Sequence, residues 1–320
     1  MRPRLVCILG GTGFVGRQLC GRLIRDGHAV KVLTRQRDRH KDLLVLPGLE
    51  LIAADVHEPN VLVEQFRRAE VVINLVGILN ERGRRARFER VHVELAAKVI
   101  AACRSAGVPR LLHMSSLGAA ADAPSRYLRS KAAAEDRLRA DSGRVEWTIF
   151  RPSVIFGPGD RFLNLFATLL RLTPLLPLAR AGTRFQPVYV ADVAAAFAGA
   201  LEARSAVAAT IELGGPEILA LAEIVRQVRA LLGVRCAVVP LPDALGYLQA
   251  LLLGLLPGAP MTVDNFRSLA VDSVCSDDGC ARLGLKPQSL GAVLPGYLGG
   301  GRNARFDAWR RAAGERIGGA

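Results

Sequence analysis

Residues 5–16 read LVCILGGTGFVG, an apolar run that ends in closely spaced glycines and leads into an amphipathic stretch. The run Leu5–Leu9 fits a buried strand, and the stretch that starts at Phe14 has the period of a helix. Gly10 lets the backbone turn sharply, Gly13 lets it approach a pyrophosphate, and Gly16 lets the helix lie close on the sheet; Thr12, Phe14 and Val15 complete the turn. The helix N-terminus then offers free N–H groups to an anion. Strand, glycine turn and helix in that order predict a dinucleotide site at the beginning of the chain.

Strand and helix patterns go on alternating through the first half of the chain. Strands are predicted at Leu5–Leu9, Ala29–Thr34, Leu49–Ala54, Val71–Leu75, Arg110–Ser115 and Val145–Arg151, with helices at Phe14–Arg25, Asn60–Arg68, Phe88–Ser105 and Arg126–Arg139. Apolar strands separated by helices imply right-handed crossovers and a parallel sheet covered on both faces. The expected class is therefore α/β, a Rossmann-type doubly wound parallel sheet with a smaller C-terminal lobe. Hydrophobic residues make up 50% of the 320 and aromatics only 5%, so the core is aliphatic, as suits such a sheet.

After Phe156, Pro and Gly punctuation changes the rhythm, before a helix predicted over Asp192–Ala203 and a strand at Thr210–Leu213 that returns to the main sheet. The predicted division is a nucleotide-binding domain over 1–215, with 158–190 contributing to the small lobe, then that lobe over 216–304 and a basic tail over 305–320. The apolar segment 246–256 is too short to span a bilayer; it reads as a core helix or as one facing a partner or a membrane surface.

Lys and Arg total 43 against 29 Asp and Glu, a net charge of +14. That surplus favours an anionic partner, either a phosphorylated cofactor or an anionic membrane surface. Nucleic acid is not expected, for lack of an RNP-like aromatic pattern, zinc-finger spacing or a separate basic domain. The six cysteines form no C-x-x-C pair, so no metal site is expected and a reduced compartment is. Leu5–Leu9 is too short for a signal-peptide core, which points to the cytoplasm, with peripheral attachment at the inner face of the cytoplasmic membrane as the further option.

The residues after the second strand speak to the coenzyme. NAD-selective sites place an Asp or Glu there for the ribose hydroxyls, whereas this chain has Thr34-Arg35-Gln36-Arg37. A guanidinium can pair bidentately with a 2′-phosphate, so NADP(H) is favoured over NAD(H), with Arg35 the first choice and Arg37 the second. Asp55 can accept from the adenine amino group while Val56 packs on the ring. Leu75, Val76 and Gly77 end the fourth strand beside the cofactor, where a small residue is needed.

Tyr127 and Lys131 lie four apart on a predicted helix and so share a face, and Ser115 and Ser116 end the fifth strand at the expected nicotinamide edge. A phenol can give a proton to a carbonyl as hydride arrives, an ammonium lowers its pKa and anchors the ribose, and a hydroxyl orients the carbonyl. This group suits carbonyl reduction or alcohol oxidation. Arg151-Pro152-Ser153 leads the next strand towards the nicotinamide, where Ser153 or Val154 would meet the carboxamide. Asp160 reads as a helix cap or as the opening of the substrate lobe, and Asp192 as a helix N-cap.

These residues resemble the short-chain dehydrogenase/reductase superfamily in its atypical or extended branch. RYLRSK (126–131), RPSVIFG (151–157), GDRFLNLFA (159–167) and QPVYVADV (186–193) are similar, in the same order, to the nucleotide-binding accessory subunits of respiratory complex I and their bacterial relatives. The resemblance covers about Leu5 to Gly215. It implies a tightly held NADPH on Gly10, Gly13, Gly16, Arg35, Tyr127 and Lys131, a nucleotide that stabilises the fold, and a partner in a respiratory or quinone-biosynthesis complex. The alternatives are an active NADPH-dependent reductase, a sugar-nucleotide-type epimerase or dehydratase using Tyr127 and Lys131, and a redox-sensing scaffold.

Overall fold

The computed structural model describes residues 2–141, 145–256 and 259–299. Among these described residues two compact units divide the chain: the first holds those within 2–153, 190–214 and 275–286, the second those within 154–189, 215–274 and 287–299. The segment 275–286 was expected in the small lobe. It belongs instead to the first unit, because Gly279 sits against the backbone of Glu212, where a Cβ would lie 2.1 Å from the carbonyl oxygen. The Ser276 N–H and hydroxyl also bond the Glu212 carboxylate. A lone glycine in an irregular stretch gives no sequence signal for such a return. The basic tail 305–320 lies outside the described residues.

The first unit is a seven-stranded sheet of β1 (Leu5–Leu9), β2 (Ala29–Thr34), β3 (Leu49–Ala53), β4 (Val71–Asn74), β5 (Arg110–Met114), β6 (Glu146–Pro152) and β7 (Ala209–Leu213). Its order is β3-β2-β1-β4-β5-β6-β7 and every pairing is parallel. The chain starts in the middle of the sheet, winds outward to β3, then crosses back to β4 beside β1. That reversal opens the crevice at the carboxyl ends of β1 and β4 where ligands bind in open α/β sheets.

Helices α1 (Phe14–Arg25), α2 (Pro59–Phe66), α3 (Leu95–Ala106), α4 (Arg126–Arg139) and α5 (Val190–Gly199) cover the sheet. Leu62, Phe66, Val99, Cys103 and Leu138 from α2, α3 and α4 pack with Cys7, Val72, Leu111 and Ile149 of the strands. On the opposite face Phe197 of α5 meets Phe150 of β6 with ring centroids 4.2 Å apart. Alternate strand residues thus serve opposite helical layers, as the pleat requires.

Several boundaries differ from the sequence expectation by a residue or more, among them these two. The helix predicted from Phe88 opens with a π-helical turn, Glu89–Glu94, before α3 begins. The predicted Asp192–Ala203 helix is α5, which starts at Val190, so Asp192 lies inside its first turn rather than before it.

In the second unit Phe156, Leu163, Leu176, Ile224, Val228 and Leu290 form one buried cluster. Asp160 ties its start together: the carboxylate accepts from the N–H groups of Gly157, Leu163 and Asn164 and from the Tyr297 hydroxyl at 2.8 Å. The helix-cap expectation for Asp160 describes its contacts.

Candidate active site and coenzyme cradle

The glycine turn is a steric necessity. Gly10 has φ +80, and a Cβ there would stand 3.0 Å from the Leu75 carbonyl carbon. A Cβ on Gly16 would lie 2.4 Å from the Gly10 oxygen and 2.5 Å from the Gly11 Cα, so the turn and the first coil of α1 touch backbone to backbone. Gly13, extended at φ −78 and ψ −179, is the α1 N-cap and supplies no side-chain cap. The first-turn N–H groups of α1 therefore remain for an outside acceptor. Gly11 contributes too, since a Cβ there would meet the Val32 side chain at 2.8 Å.

Register places the other half. Leu9 pairs with Asn74, Asn74 with His113, and His113 with Ile149, so the ends of β1, β4, β5 and β6 lie level. The Asn74 side chain accepts from the Val76 N–H at 3.1 Å and donates to His113 Nδ1 at 3.2 Å. Leu75 N–H donates to the Leu9 carbonyl. The β4 loop carrying Leu75, Val76 and Gly77 is thereby fixed beside the glycine turn.

Lys131 is buried at 4% exposure, and its Nζ donates to the Met114 carbonyl at 3.1 Å and lies 6.0 Å from the Tyr127 ring centroid. Burial pulls its pKa down to about 8, against the opposing pull of Glu135. Any side chain on Gly77 would crowd this ammonium, since a Cβ there would be 3.1 Å from Nζ and 3.6 Å from His92 Nε2. Burial raises the Tyr127 phenol above its ordinary value, and hydrogen bonding with Ser116, whose own hydroxyl donates to the Leu117 carbonyl, acts to lower it. Although only ten residues lie between them, Ser116 and Tyr127 meet.

The two serines divide their work. Ser115 is buried and donates to Glu135 at 2.5 Å. Glu135, with no exposed side-chain surface, also accepts from Arg151 Nε at 2.8 Å, Arg151 Nη2 at 2.6 Å and Arg139 Nη2 at 2.6 Å. Arg151 Nη2 reaches the Ala119 carbonyl as well. A carboxylate with this many donors is anchored under the site, and Ser115 and Arg151 are engaged in that anchor.

Behind Tyr127 stands a histidine that motif reading missed. His92, in the π-helical turn, is 2% exposed; its Nε2 accepts from the Ile78 N–H at 3.1 Å, and its Nδ1 lies 2.8 Å from Ser130 Oγ. Ser130 Oγ donates to the Tyr127 carbonyl at 2.7 Å, so the proton between His92 and Ser130 sits on Nδ1. The ring stacks on Phe88 and meets the edge of Tyr127. Burial and the Lys131 charge hold His92 down to about 2 and His113 to about 3, so both are neutral. π-helical insertions recur at functional sites, but no residue pattern announces one.

Comparison with known proteins decides the family. The NAD dependent epimerase/dehydratase family matches residues 6–214. The chain is 34% identical over 292 residues to NADH dehydrogenase [ubiquinone] 1 alpha subcomplex subunit 9, mitochondrial, of Mus musculus, covering 88% of this chain and 76% of that protein. The chain belongs to the NAD dependent epimerase/dehydratase family. The corresponding Arabidopsis thaliana subunit is 37% identical over 68% of this chain, and the match spans only 55% of that relative's length. Ceramide reductase of Caulobacter vibrioides is 34% identical, covering 75% of this chain and 74% of its own. Among solved structures, an epimerase of Methanothermobacter thermautotrophicus superposes with a TM-score of 0.74 at 18% identity, over 98% of this chain and 95% of that one, which shows the shared fold.

The remaining candidate residues of this family member are less closely gathered. Arg35 and Arg37 are exposed just beyond β2, and Arg35 makes no ion pair or hydrogen bond among the described residues. Asp55 is exposed and accepts from the His57 N–H at 2.9 Å. Val56 is 9% exposed and packs into the cluster with residues of α2 and α3. Val15 is also buried, whereas Thr12 and Phe14 are half-buried. Pro152 ends β6, Ser153 is buried with its N–H on the Leu213 carbonyl, and Val154 belongs to the second unit. No helix among the described residues is long and apolar enough to cross a membrane, and no three His, Cys, Asp or Glu of those residues gather as metal ligands would.

Proposed function

We propose that this protein is an NADP(H)-binding oxidoreductase of the short-chain dehydrogenase type, reducing a carbonyl or oxidising an alcohol at Tyr127. The observation that carries the reading is the hydrogen bond between Ser116 and Tyr127 beside the buried Lys131. The residues present fit the coenzyme: an uncapped helix start behind three glycines for the diphosphate, Gly77 where a Cβ would crowd Lys131, and unpaired Arg35 for a 2′-phosphate. When bound, NADP(H) supplies or accepts a hydride at its nicotinamide ring.

Tyr127 then holds the proton that the substrate oxygen takes up or gives back. Ser116 bonds the phenol oxygen and orients the carbonyl. Lys131 supplies the positive charge that favours the phenolate, and its pKa of about 8 keeps it protonated at neutral pH. The test is Tyr127→Phe: we expect a loss of roughly a hundredfold or more in substrate-dependent NADPH oxidation, with coenzyme affinity and melting temperature unchanged. A variant as active as the parent overturns the role of Tyr127.

A second reading is favoured by the similarity to the mouse subunit over 88% of the chain: an accessory subunit of a respiratory or quinone-related complex in which the nucleotide stabilises the fold. On that reading, nucleotide removal lowers the melting temperature and no substrate is turned over. Mass spectrometry of nucleotide released from the denatured protein identifies the coenzyme under both readings.

A further inference from the structure

The second unit contains a helix, Asp243–Gly254, that is attached by small residues and leaves its large ones outside. Gly246 sits against Ala179 and Phe266, where a Cβ would lie 2.9 Å from each, and Ala250 is fully buried. The Gln249 amide donates to the Pro177 carbonyl, and Asp243 pairs with Arg180. Leu245, Tyr247, Leu248, Leu251, Leu252 and Leu255, by contrast, are between 43% and 80% exposed. At 3.6 residues per turn these six cover roughly half the circumference, opposite Gly246 and Ala250. Residues 244–263 include no Asp, Glu, Lys, Arg or His.

We propose that this helix is a membrane-docking surface that lies in the headgroup and upper acyl region of an anionic phospholipid bilayer. Three observations select that occupant. A second copy of the chain would also carry +14, so self-association works against repulsion, whereas anionic lipid attracts that charge. A protein partner needs about one hydrogen bond per 100–200 Å² of interface, and this face offers only the Tyr247 hydroxyl, since Gln249 is engaged with Pro177. Hydrocarbon needs none. The adjacent parallel strand pair, Leu175–Ala179 with Ala237–Leu241, has exposed Leu175 and Val239, and exposed Arg171 and Arg235 precede it at one end. Leucines for the acyl region with arginines on neighbouring elements for the headgroups suit a surface that lies in a bilayer interface. The segment is too short to span, so it lies on the surface.

The inference does not depend on the coenzyme chemistry. The test is flotation of the full chain with phosphatidylcholine vesicles, with and without phosphatidylglycerol. We expect binding to the anionic vesicles, weakened by salt, and a loss of roughly tenfold or more in partitioning for Leu248→Gln/Leu252→Gln with an unchanged melting temperature. A second probe, Leu255→Trp, is expected to shift its emission to the blue on adding the same vesicles, relative to the parent chain. Absence of vesicle binding overturns the proposal. So does binding that the double substitution leaves intact, which assigns it to other basic residues, or a solution dimer that the double substitution dissociates, which assigns the face to a second copy.

Discussion

At the glycine turn the candidate site is made of backbone, and at Tyr127 it is built by residues drawn from three separate stretches of chain. Gly10, Gly13 and Gly16 act by what they lack: Gly13 and Gly16 lie against the same short loop, and Gly10 lies against the Leu75–Val76 backbone. Tyr127 and Lys131 depend instead on Ser116, Met114, His92, Ser130 and Glu135, brought together only when β4, β5 and the helices pack. A local site tolerates change elsewhere and fails at once when its own atoms are touched. A distributed site can be weakened from many positions, by degrees.

The largest effect is therefore expected at Gly16→Val. Its Cβ alone would overlap the Gly10 oxygen at 2.4 Å, and backbone on both sides leaves no flexible group to yield. We expect at least about 4 kcal/mol of lost stability and no measurable coenzyme binding, read by denaturant unfolding and fluorescence titration. A stable variant that still binds would show that the turn can open, and the contrast with the Tyr127 end would fall.

Glu135→Leu attacks the distributed end from beneath. It leaves the Arg151 guanidinium, the Arg139 guanidinium and the buried Ser115 hydroxyl without their shared acceptor. Because one partner of a buried pair is removed and the others stay, the expected cost is about 3 kcal/mol. Coenzyme affinity should fall far less than at Gly16→Val. Equal loss of affinity in the two variants would mean that the two ends are not separable.

Acid sharpens the same contrast. His92 and His113 have folded pKa values of about 2 and about 3 because burial disfavours their charged forms. In the unfolded chain both titrate near their ordinary value, so the unfolded state binds more protons below it and stability falls as pH falls. The stability is complete above about pH 6.5, and it is lost from there downward at about 2.7 kcal/mol per pH unit once both unfolded imidazoles are protonated. His92→Gln should halve that slope. An unchanged slope would show that other groups set the acid limit.

The same difference explains what the sequence disclosed. α1, β2 and α4 have their predicted bounds because cap, period and turn signals lie within each segment. The glycine turn, Tyr127 and Lys131 stood out as candidates from their order along the chain, the pair following the glycine turn and the serines after the fifth strand. Which of the two serines faces Tyr127 could not, since both end the same strand and only the position of Glu135 on α4 separates them. Nor could His92, whose orientation is set by a π-helical turn, nor the return of residues 275–286, which rests on close approach to Glu212. The run at 246–256 showed its apolar character but not its exposure, because the anchor is Gly246 and Ala250 while the leucines around them face outward.

The smallest effect is expected at Arg35→Ala, and it isolates one phosphate. Arg35 is exposed and makes no ion pair or hydrogen bond among the described residues, so removing it should leave the melting temperature where it was. If its guanidinium holds the 2′-phosphate, NADPH affinity should drop roughly tenfold, about 1.4 kcal/mol, while NADH affinity stays constant. The drop should shrink with added salt, because an exposed pair is screened. Equal weakening of both coenzymes would place Arg35 near the shared diphosphate. No weakening of either would pass the role to Arg37, also exposed, which lies two residues further along the chain at the start of the helix after β2.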